Sequence, residues 1–417
     1  MKINRKDKLF KIIVFLLGAA LLFAWWFDPY NDFQADSERF AIGSLVHGAR
    51  EGGFTDYGLV DSIETTTGKL VIVVMREYYD LQELVYYNYT SQVGLQGYCY
   101  QLLGRLFCAD GFVPLIVKLY NILTGACCAL MALVAMGITF AAGKKYNNRL
   151  AAAFFLTFLL STWVRDFSGN LYWVEFTWFV PMLLGVVMSL DYKRFDKPWF
   201  YALVVLALAV KSACGYEYIT TIMLGLILFP LVDLLLVGRD ERKRVFFVIF
   251  KLGLAALAGF FAAIAVHALM RGDGNLIAGI KNIYLRDVVR TTVGNSATDE
   301  GAAGMFDAAI FYLTFYTPVI QGIPAALFTP LSALALIVFA LFARKRENRW
   351  EIVLFALAAL TTMSWYVLGK SHSLIHTYMN YVLWYFGFVQ MQIYALVSIA
   401  CKAAAPRGKG SGANEIA

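Results

Sequence analysis

Charge is scarce in this chain. Lys, Arg, Asp and Glu together make up 16% of the 417 residues, whereas hydrophobic residues reach 60%. Soluble domains carry roughly 25% charged residues, so a set of ordinary soluble domains is excluded. Aromatic residues at 16% exclude a disordered or fibrous chain. Cysteine is sparse too, with six in all: Cys127, Cys128 and Cys401 fall inside apolar runs and Cys214 at the end of one. Only Cys99 and Cys108 share a polar segment, too few for a disulfide framework, and no CxxC pair occurs. Four histidines do not provide a recognisable metal-ligand set. A Walker loop, a GxGxxG turn and an internal repeat are all missing, which leaves nucleotide-binding domains and symmetric transporter halves without a signature. The net charge of +7 does not point to nucleic acid, because the cations sit between apolar runs.

What is present is a series of those runs. Spans of membrane length can be drawn at 9–27, 112–141, 150–164, 171–190, 198–213, 218–237, 245–269, 312–342, 350–369 and 381–401. Basic clusters lie at Lys2 to Lys8, Lys144 to Arg149, Lys193 to Lys197, Arg239 to Arg244, Arg344 to Arg349 and Lys402 to Lys409. Their alternation places all six on one side of a ten-span chain. By the positive-inside rule that side is the cytoplasm, with both termini inside. The expected fold is therefore an all-α polytopic membrane protein of about ten transmembrane helices, organised as one integral membrane domain. Its parts are a first span (1–27), an outer loop (28–111), central spans (112–269), a second outer loop (270–310), last spans (311–401) and a cytoplasmic tail (402–417). Trp25, Trp26 and Phe27 form an interfacial belt with no small-residue cleavage site after it, so the first run is expected to be retained.

The unusual features collect on the outer side, and loops this long in a compact protein usually carry function. From Asp36 the pattern is helical. Asp36, Arg39, Gly43, His47 and Arg50 fall on one face and Ala41, Ile42, Leu45, Val46 and Ala49 on the other. That predicts an amphipathic helix on the membrane surface, with Asp36 in its first turn. A hairpin is expected around Thr65 to Gly68. A second helix, rich in interfacial tyrosines, is expected over Leu81 to Phe107. Asn88-Tyr89-Thr90 is a glycosylation tripeptide of the kind that also occurs by chance.

Three further segments bring polar groups to the outer ends of spans. Arg165 to Glu175 carries Trp173 and Glu175 toward the fourth span, and Lys211 to Tyr218 sets Lys211, Glu217 and Tyr218 around a tight turn. A charge at the bilayer centre costs about 2.5–3.5 kcal/mol, so such groups pair, reach the interface or line a cavity. In the last outer turn His372 and His376, four residues apart, are spaced to share a helix face, and with Lys370 they are candidates to contact a phosphate. Each basic residue taken singly, Arg271, Arg286 and Arg290 included, is equally well a snorkelling or headgroup contact.

A single span followed by a long outer loop, with an acid just past the membrane and two interfacial helices, resembles the GT-C class of membrane glycosyltransferases. The segment Asp36-Ser37-Glu38-Arg39-Phe40 is similar to the loop opening of lipid A aminoarabinose transferases and protein O-mannosyltransferases. Those carry an Asp-Glu pair followed by a basic or aromatic residue; Ser37 stands here at the second acid and Glu38 one position late. The resemblance implies a sugar donor carried on polyprenyl phosphate, a glycan or lipid acceptor and an active site on the outer face, in a cell membrane such as the bacterial inner membrane. It implies Asp36 as general base. Arg39, Lys211, Arg271, Arg286, Lys370, His372 and His376 become candidates for the donor phosphate, and Glu38, Glu175, Glu217, Trp173 and Tyr218 for the cavity and acceptor. No cofactor or metal is implied, and no nucleic-acid partner. The competing readings are a flippase for a lipid-linked glycan, a polysaccharide polymerase using late outer-loop arginines, and a membrane scaffold.

Overall fold

The computed structural model describes residues 5–29, 31–61, 86–109, 111–292, 306–320, 322–342, 344–377 and 379–404. The hairpin expected around Thr65 to Gly68 and residues 81–85 of the expected second helix lie outside them. The chain is an all-α polytopic membrane protein. Among the described residues six helices are long and apolar enough to cross a membrane: α1 (Arg5–Trp26), α4 (Val113–Lys145), α9 (Ile219–Leu236), α10 (Arg239–Arg271), α13 (Ala325–Phe342) and α14 (Arg349–Leu368). A seventh unit is broken: α5 (Asn148–Leu159) and α6 (Thr162–Ser168) meet at 63°. The break is capped, since the Ser161 hydroxyl accepts from the Val164 amide at 2.9 Å. Three shorter apolar helices, α7 (Phe176–Met188), α8 (Pro198–Cys214) and α15 (Phe388–Ala404), occupy the remaining runs.

Two expected spans are interrupted, and the cause is local. The run 312–342 divides into α12 (Asp307–Thr314), a hairpin pairing Pro318–Ile320 with Ile323–Pro324, and α13. Pro318 and Pro324 lack the amide protons a continuous helix needs there. The run from 381 begins as a tight 3-10 segment, Asn380–Tyr385, before α15.

Side-chain bonds tie the basic ends of the helices together. The Lys145 ammonium donates to Asp233 at 2.7 Å and to the Ser189 carbonyl at 3.1 Å, while Tyr192 donates to Asp233 at 2.6 Å. Tyr146 stacks on Trp350 at 4.2 Å, and Tyr394 donates to Glu351 at 2.7 Å. The opposite end, called here the loop end, carries residues 31–61 and 86–109, the turns at 169–175 and 215–218, and residues 272–292, 306–320, 369–377 and 379–387.

The first long loop is a packed helix pair. α2 (Ala35–Glu51) buries Ala41, Ile42, Leu45, Val46 and Ala49, as its sequence pattern requires, but also Gly43, Ser44 and Gly48. The extra burial comes from α3 (Leu95–Phe107), which crosses α2 at backbone contact. A methyl group on Gly48 would stand 2.0 Å from the Gln101 carbonyl oxygen, and one on Gly104 2.3 Å from that of Leu45. Both glycines are therefore required by the crossing. Gly48→Ala and Gly104→Ala are each expected to destabilise the protein by about 1–3 kcal/mol through overpacking. A lowered thermal midpoint in detergent would register this, and unchanged midpoints for both would contradict the crossing. The second helix is also shorter than expected: residues 86–94 are not helical, Tyr87–Asn88 pairs with Val60–Asp61, and the helix starts only after Gly94. Cys99 and Cys108 are unbonded thiols of this segment.

Residues 270–310 begin as a second interfacial element. The Asn275 side chain caps α11 (Leu276–Ile283) by accepting from the Ala278 amide at 3.1 Å, and a π-turn, Tyr284–Val288, continues it. Gly279 and Ile283 face inward. Ile277, Ile280, Tyr284, Leu285 and Val288 form an exposed apolar stripe at helical spacing, with Ile277 80% exposed.

Candidate functional site

The site is built around one turn. Residues 169–175 connect α6 to α7, and Asn170 shapes them. Its side-chain oxygen accepts from the amides of Tyr172 at 3.0 Å and Trp173 at 3.3 Å, and its amide nitrogen donates to the Phe33 carbonyl at 3.0 Å. Val174 is held at φ 41°, a conformation that a β-branched residue adopts only under constraint. This turn is why α7 starts at Phe176, five residues later than the apolar run.

The long loop grips the same turn from both of its helices. From the α2 side, Asn31 donates to the Asp166 carbonyl at 3.0 Å and Glu38 accepts from the Leu171 amide at 3.1 Å. From the α3 side, Tyr100 donates to the Leu171 carbonyl at 2.9 Å, and Gln96 donates to the carbonyls of Tyr172 at 2.9 Å and Cys214 at 3.0 Å. These bonds join the first loop, the 169–175 turn and the 211–218 turn into one polar framework.

Asp36 and Glu38 take opposite places on it. Asp36 is exposed, and its carboxylate caps the adjacent Ser37 amide at 2.9 Å. Glu38 is 2% exposed and accepts from both the Tyr120 hydroxyl at 2.9 Å and the Leu171 amide. Burial pushes its carboxyl up to about 7 against the opposing pull of those two hydrogen bonds. Asp36 is open to solvent, and Glu38 is a sealed strut.

Beside Asp36 runs an aromatic wall. Phe40 packs on Tyr89 at 4.4 Å, and the hydroxyls of Tyr89 and Tyr172 are 3.1 Å apart. The carboxylates of Asp36 and Glu217 both lie within electrostatic reach of the Tyr172 hydroxyl. Glu217 folds over Gly215, where a methyl group would stand 2.5 Å from its carboxylate oxygen. On the far side of Glu217, the Tyr216 hydroxyl is 3.1 Å from His267 Nδ1, and His267 Nε2 is 3.0 Å from the Thr90 carbonyl.

The basic candidates divide into three kinds. Arg39 pairs with Asp61 at 3.2 Å beside the wall and lies over the Phe40 ring at 5.1 Å. Arg271 pairs with Asp287 next to Tyr216 and His267, with its side chain only 5% exposed. Lys211 is buried, donating to the Gly215 carbonyl at 2.6 Å and approaching the Trp178 ring at 6.0 Å, so it braces the turn beneath Glu217. Arg286 is exposed on the π-turn.

Lys370, His372 and His376 form a separate group on and after the short helix Lys370–Ile375. The two imidazoles are 4.6 Å apart, and His372 meets the Trp365 edge at 5.9 Å. Behind them Asn380 is fully buried. It accepts from Tyr218 at 2.6 Å, and its amide nitrogen donates to the Tyr312 oxygen at 2.9 Å. Tyr218 (φ 64°) and Trp173 are buried and stacked at 6.2 Å, so they support the wall from behind. Glu175 lies apart from Asp36 and Glu217. It is fully buried near Asp166, Cys128 and Tyr385, and neither carboxylate oxygen has a hydrogen-bond partner among the described residues. Arg290 lies on the last short turn, Val289–Thr292.

Asn170, Gln96, Tyr120 and Asn380 are framework residues that sequence reasoning passed over. Their one signal was polar side chains in apolar surroundings, which must find hydrogen bonds when buried. Among the described residues, no group of three or more His, Cys, Asp and Glu side chains is placed to hold a metal ion. No family model, no curated protein and no solved structure matches the chain.

Proposed function

We propose that this protein is a membrane glycosyltransferase of the GT-C kind, moving a sugar from a polyprenyl-phosphate carrier to a glycan or lipid acceptor. In this reading it has ten membrane crossings, counting the broken and short apolar helices. Both termini are cytoplasmic, the loop end faces outward, and a bacterial inner membrane is the setting. One observation carries the reading: an exposed acid, Asp36, stands one helical turn before Phe40, whose ring packs on Tyr89 at 4.4 Å in an aromatic wall continued by Tyr172, its hydroxyl 3.1 Å from that of Tyr89. Such a wall suits a sugar ring, because aromatic faces stack on its C–H groups while the hydroxyls reach the polar rim.

The chemistry follows from these positions. Asp36 takes the proton from the acceptor hydroxyl as its oxygen bonds to the anomeric carbon, and the carbon–phosphate oxygen bond breaks with inversion. The departing lipid phosphate needs cations at headgroup depth. Arg39 and Arg271 flank the wall, each held by one aspartate that fixes its direction. Transfer is tested with purified protein in liposomes, by release of free polyprenyl phosphate from a polyprenyl-phosphate sugar. Saturable turnover supports the reading, and the absence of both turnover and polyprenyl-phosphate binding overturns it.

Two predictions belong to this proposal. Arg39→Gln and Arg271→Gln are each expected to weaken donor binding about tenfold or more, since a hydrogen bond to a charged group contributes about 1.5–3 kcal/mol. Arg286→Gln, at an exposed position, should change it less than threefold. Equal effects at all three positions would remove the specific phosphate contact. The orientation predicts that cysteines at Asp56 and Asp273 react with an impermeant maleimide from outside the cell, and those at Arg194 and Glu347 only after permeabilisation. The reverse pattern would place the loop end in the cytoplasm, where this donor chemistry has no rationale.

A further inference from the structure

The basic end carries a cleft unrelated to the site above. It measures about 570 Å³ and is lined by Leu234, Leu235, Arg239, Arg242, Lys243 and Phe246. Leu234 and Leu235 come from the last turn of α9, and the other four from the start of α10, across the short connection at Val237 and Gly238.

The spacing on α10 makes this a charged face. Arg239, Arg242, Lys243 and Phe246 stand at i, i+3, i+4 and i+7, one stripe of a helix. The acids of that first turn, Asp240 and Glu241, fall off the stripe, so their charge is directed away from it. No ion pair joins Arg239, Arg242 or Lys243 to an acid among the described residues; the Arg242 guanidinium makes only a long contact, 3.4 Å, to the Val237 carbonyl. Depth follows from length. α10 has 33 residues and is therefore about 50 Å long, against a hydrocarbon core of about 30 Å. Its first turns extend past the acyl region, which puts the three cations at headgroup level and Phe246, Leu234 and Leu235 at the top of the chains.

We propose that this cleft binds the phosphate headgroup of an anionic phospholipid, with the glycerol and upper acyl carbons against Leu234, Leu235 and Phe246. Three cations on one face, without an ion pair among the described residues, call for an anion, and the apolar floor and rim call for one attached to hydrocarbon. A free phosphate meets only the first demand, and a neutral lipid only the second.

The test is lipid retention by the purified full-length protein, read by native mass spectrometry. Protein is exchanged into mixed micelles of phosphatidylglycerol and phosphatidylcholine, with and without millimolar inorganic phosphate. Wild-type protein is expected to retain phosphatidylglycerol preferentially. The triple variant Arg239→Gln/Arg242→Gln/Lys243→Gln should lose that preference tenfold or more, since each cation at a membrane surface adds substantially to anionic-lipid attraction. The control Lys193→Gln/Arg194→Gln/Lys197→Gln removes three charges at the same end outside the cleft and should keep the preference. If the triple variant does not purify as a monodisperse helical protein, Arg242→Gln and Lys243→Gln are measured singly, each with an expected threefold or larger loss. The proposal is overturned if the cleft variants retain phosphatidylglycerol like wild type or if the control loses it equally. Displacement of the lipid by inorganic phosphate at parity would also overturn it, because the ligand would then be the free anion. None of these readouts depends on sugar transfer.

Discussion

Asp36→Asn is expected to lower the rate of sugar transfer by about 10²–10⁴-fold, the range a positioned general base contributes. Expression and donor binding should remain close to wild type. The side chains are nearly isosteric, and the one hydrogen bond that Asp36 accepts, from the Ser37 amide, can pass to the asparagine oxygen. Glu38→Gln is the discriminating comparison, two positions away in the same helical turn. Glu38 is sealed behind Tyr120 and the Leu171 amide and cannot touch an acceptor, so its loss should change the rate only a few-fold, through the placement of the 169–175 turn. Single-turnover assays on both variants decide the matter. A fully active Asp36→Asn protein removes the base, and a Glu38→Gln protein as inactive as Asp36→Asn means that the strut, not the exposed acid, governs the reaction.

Much of the fold is legible in the sequence because it depends on local pattern. Apolar runs set the helices, and clusters such as Lys193 to Lys197 and Arg239 to Arg244 mark where they end. Pro198 and Gly215 bracket α8 as first-turn proline and terminal glycine do generally. Less is legible where distant partners decide. Glu38 lies about 200° around the helix from Asp36, on the side of Ala41 and Ile42, so the wheel already pointed it inward. The partners that make its burial tolerable, Tyr120 and Leu171, are 82 and 133 residues away. Lys211 and Trp173, a cation and an aromatic, suit phosphate and sugar by residue type, and the structure buries both against turns. The division of the 312–342 run was within reach, since Pro318, Gly322 and Pro324 stand in its middle.

Backbone conformation singles out several of these turns. Among the described residues, four other than glycine have positive φ: Gln34, Val174, Tyr218 and Asp273. Gln34 precedes Asp36 at the start of α2, Val174 adjoins Glu175, and Tyr218 adjoins Glu217. Each such residue costs on the order of 1–3 kcal/mol and persists only where its surroundings over-determine it. Asn170, Gln96 and Asn380 supply those surroundings. Three of the four therefore stand at turns that the amide framework holds in place, and Asp273 lies on the separate turn after α10.

That framework should respond to pH through Glu38. Its carboxyl is pushed up to about 7 in the folded protein by burial, against a usual value near 4.5. Between these values the folded state holds a proton that the unfolded chain has released, so stability is greatest at acid pH and falls as pH rises from about 4.5 to about 7. Above that window both states are ionised and the loss is complete. At about 1.36 kcal/mol per unit the loss comes to roughly 3 kcal/mol. The groups that face the carboxyl are Tyr120 from α4, Tyr100 from α3 and the Cys127 thiol, two phenols and a thiol that ordinarily titrate above this range. None of them therefore offsets the titration of Glu38. Glu38→Gln cannot ionise and should keep the two hydrogen bonds to its side-chain oxygen. Its thermal midpoint relative to wild type should accordingly rise as pH increases from 5 to 8, with the two proteins closest at pH 5. The measurement is a pair of melting series in one detergent at constant ionic strength. A wild-type protein that gains stability relative to Glu38→Gln over that interval would mean that Glu38 enters the fold as a carboxylate, with Tyr120 and the Leu171 amide outweighing the cost of its burial.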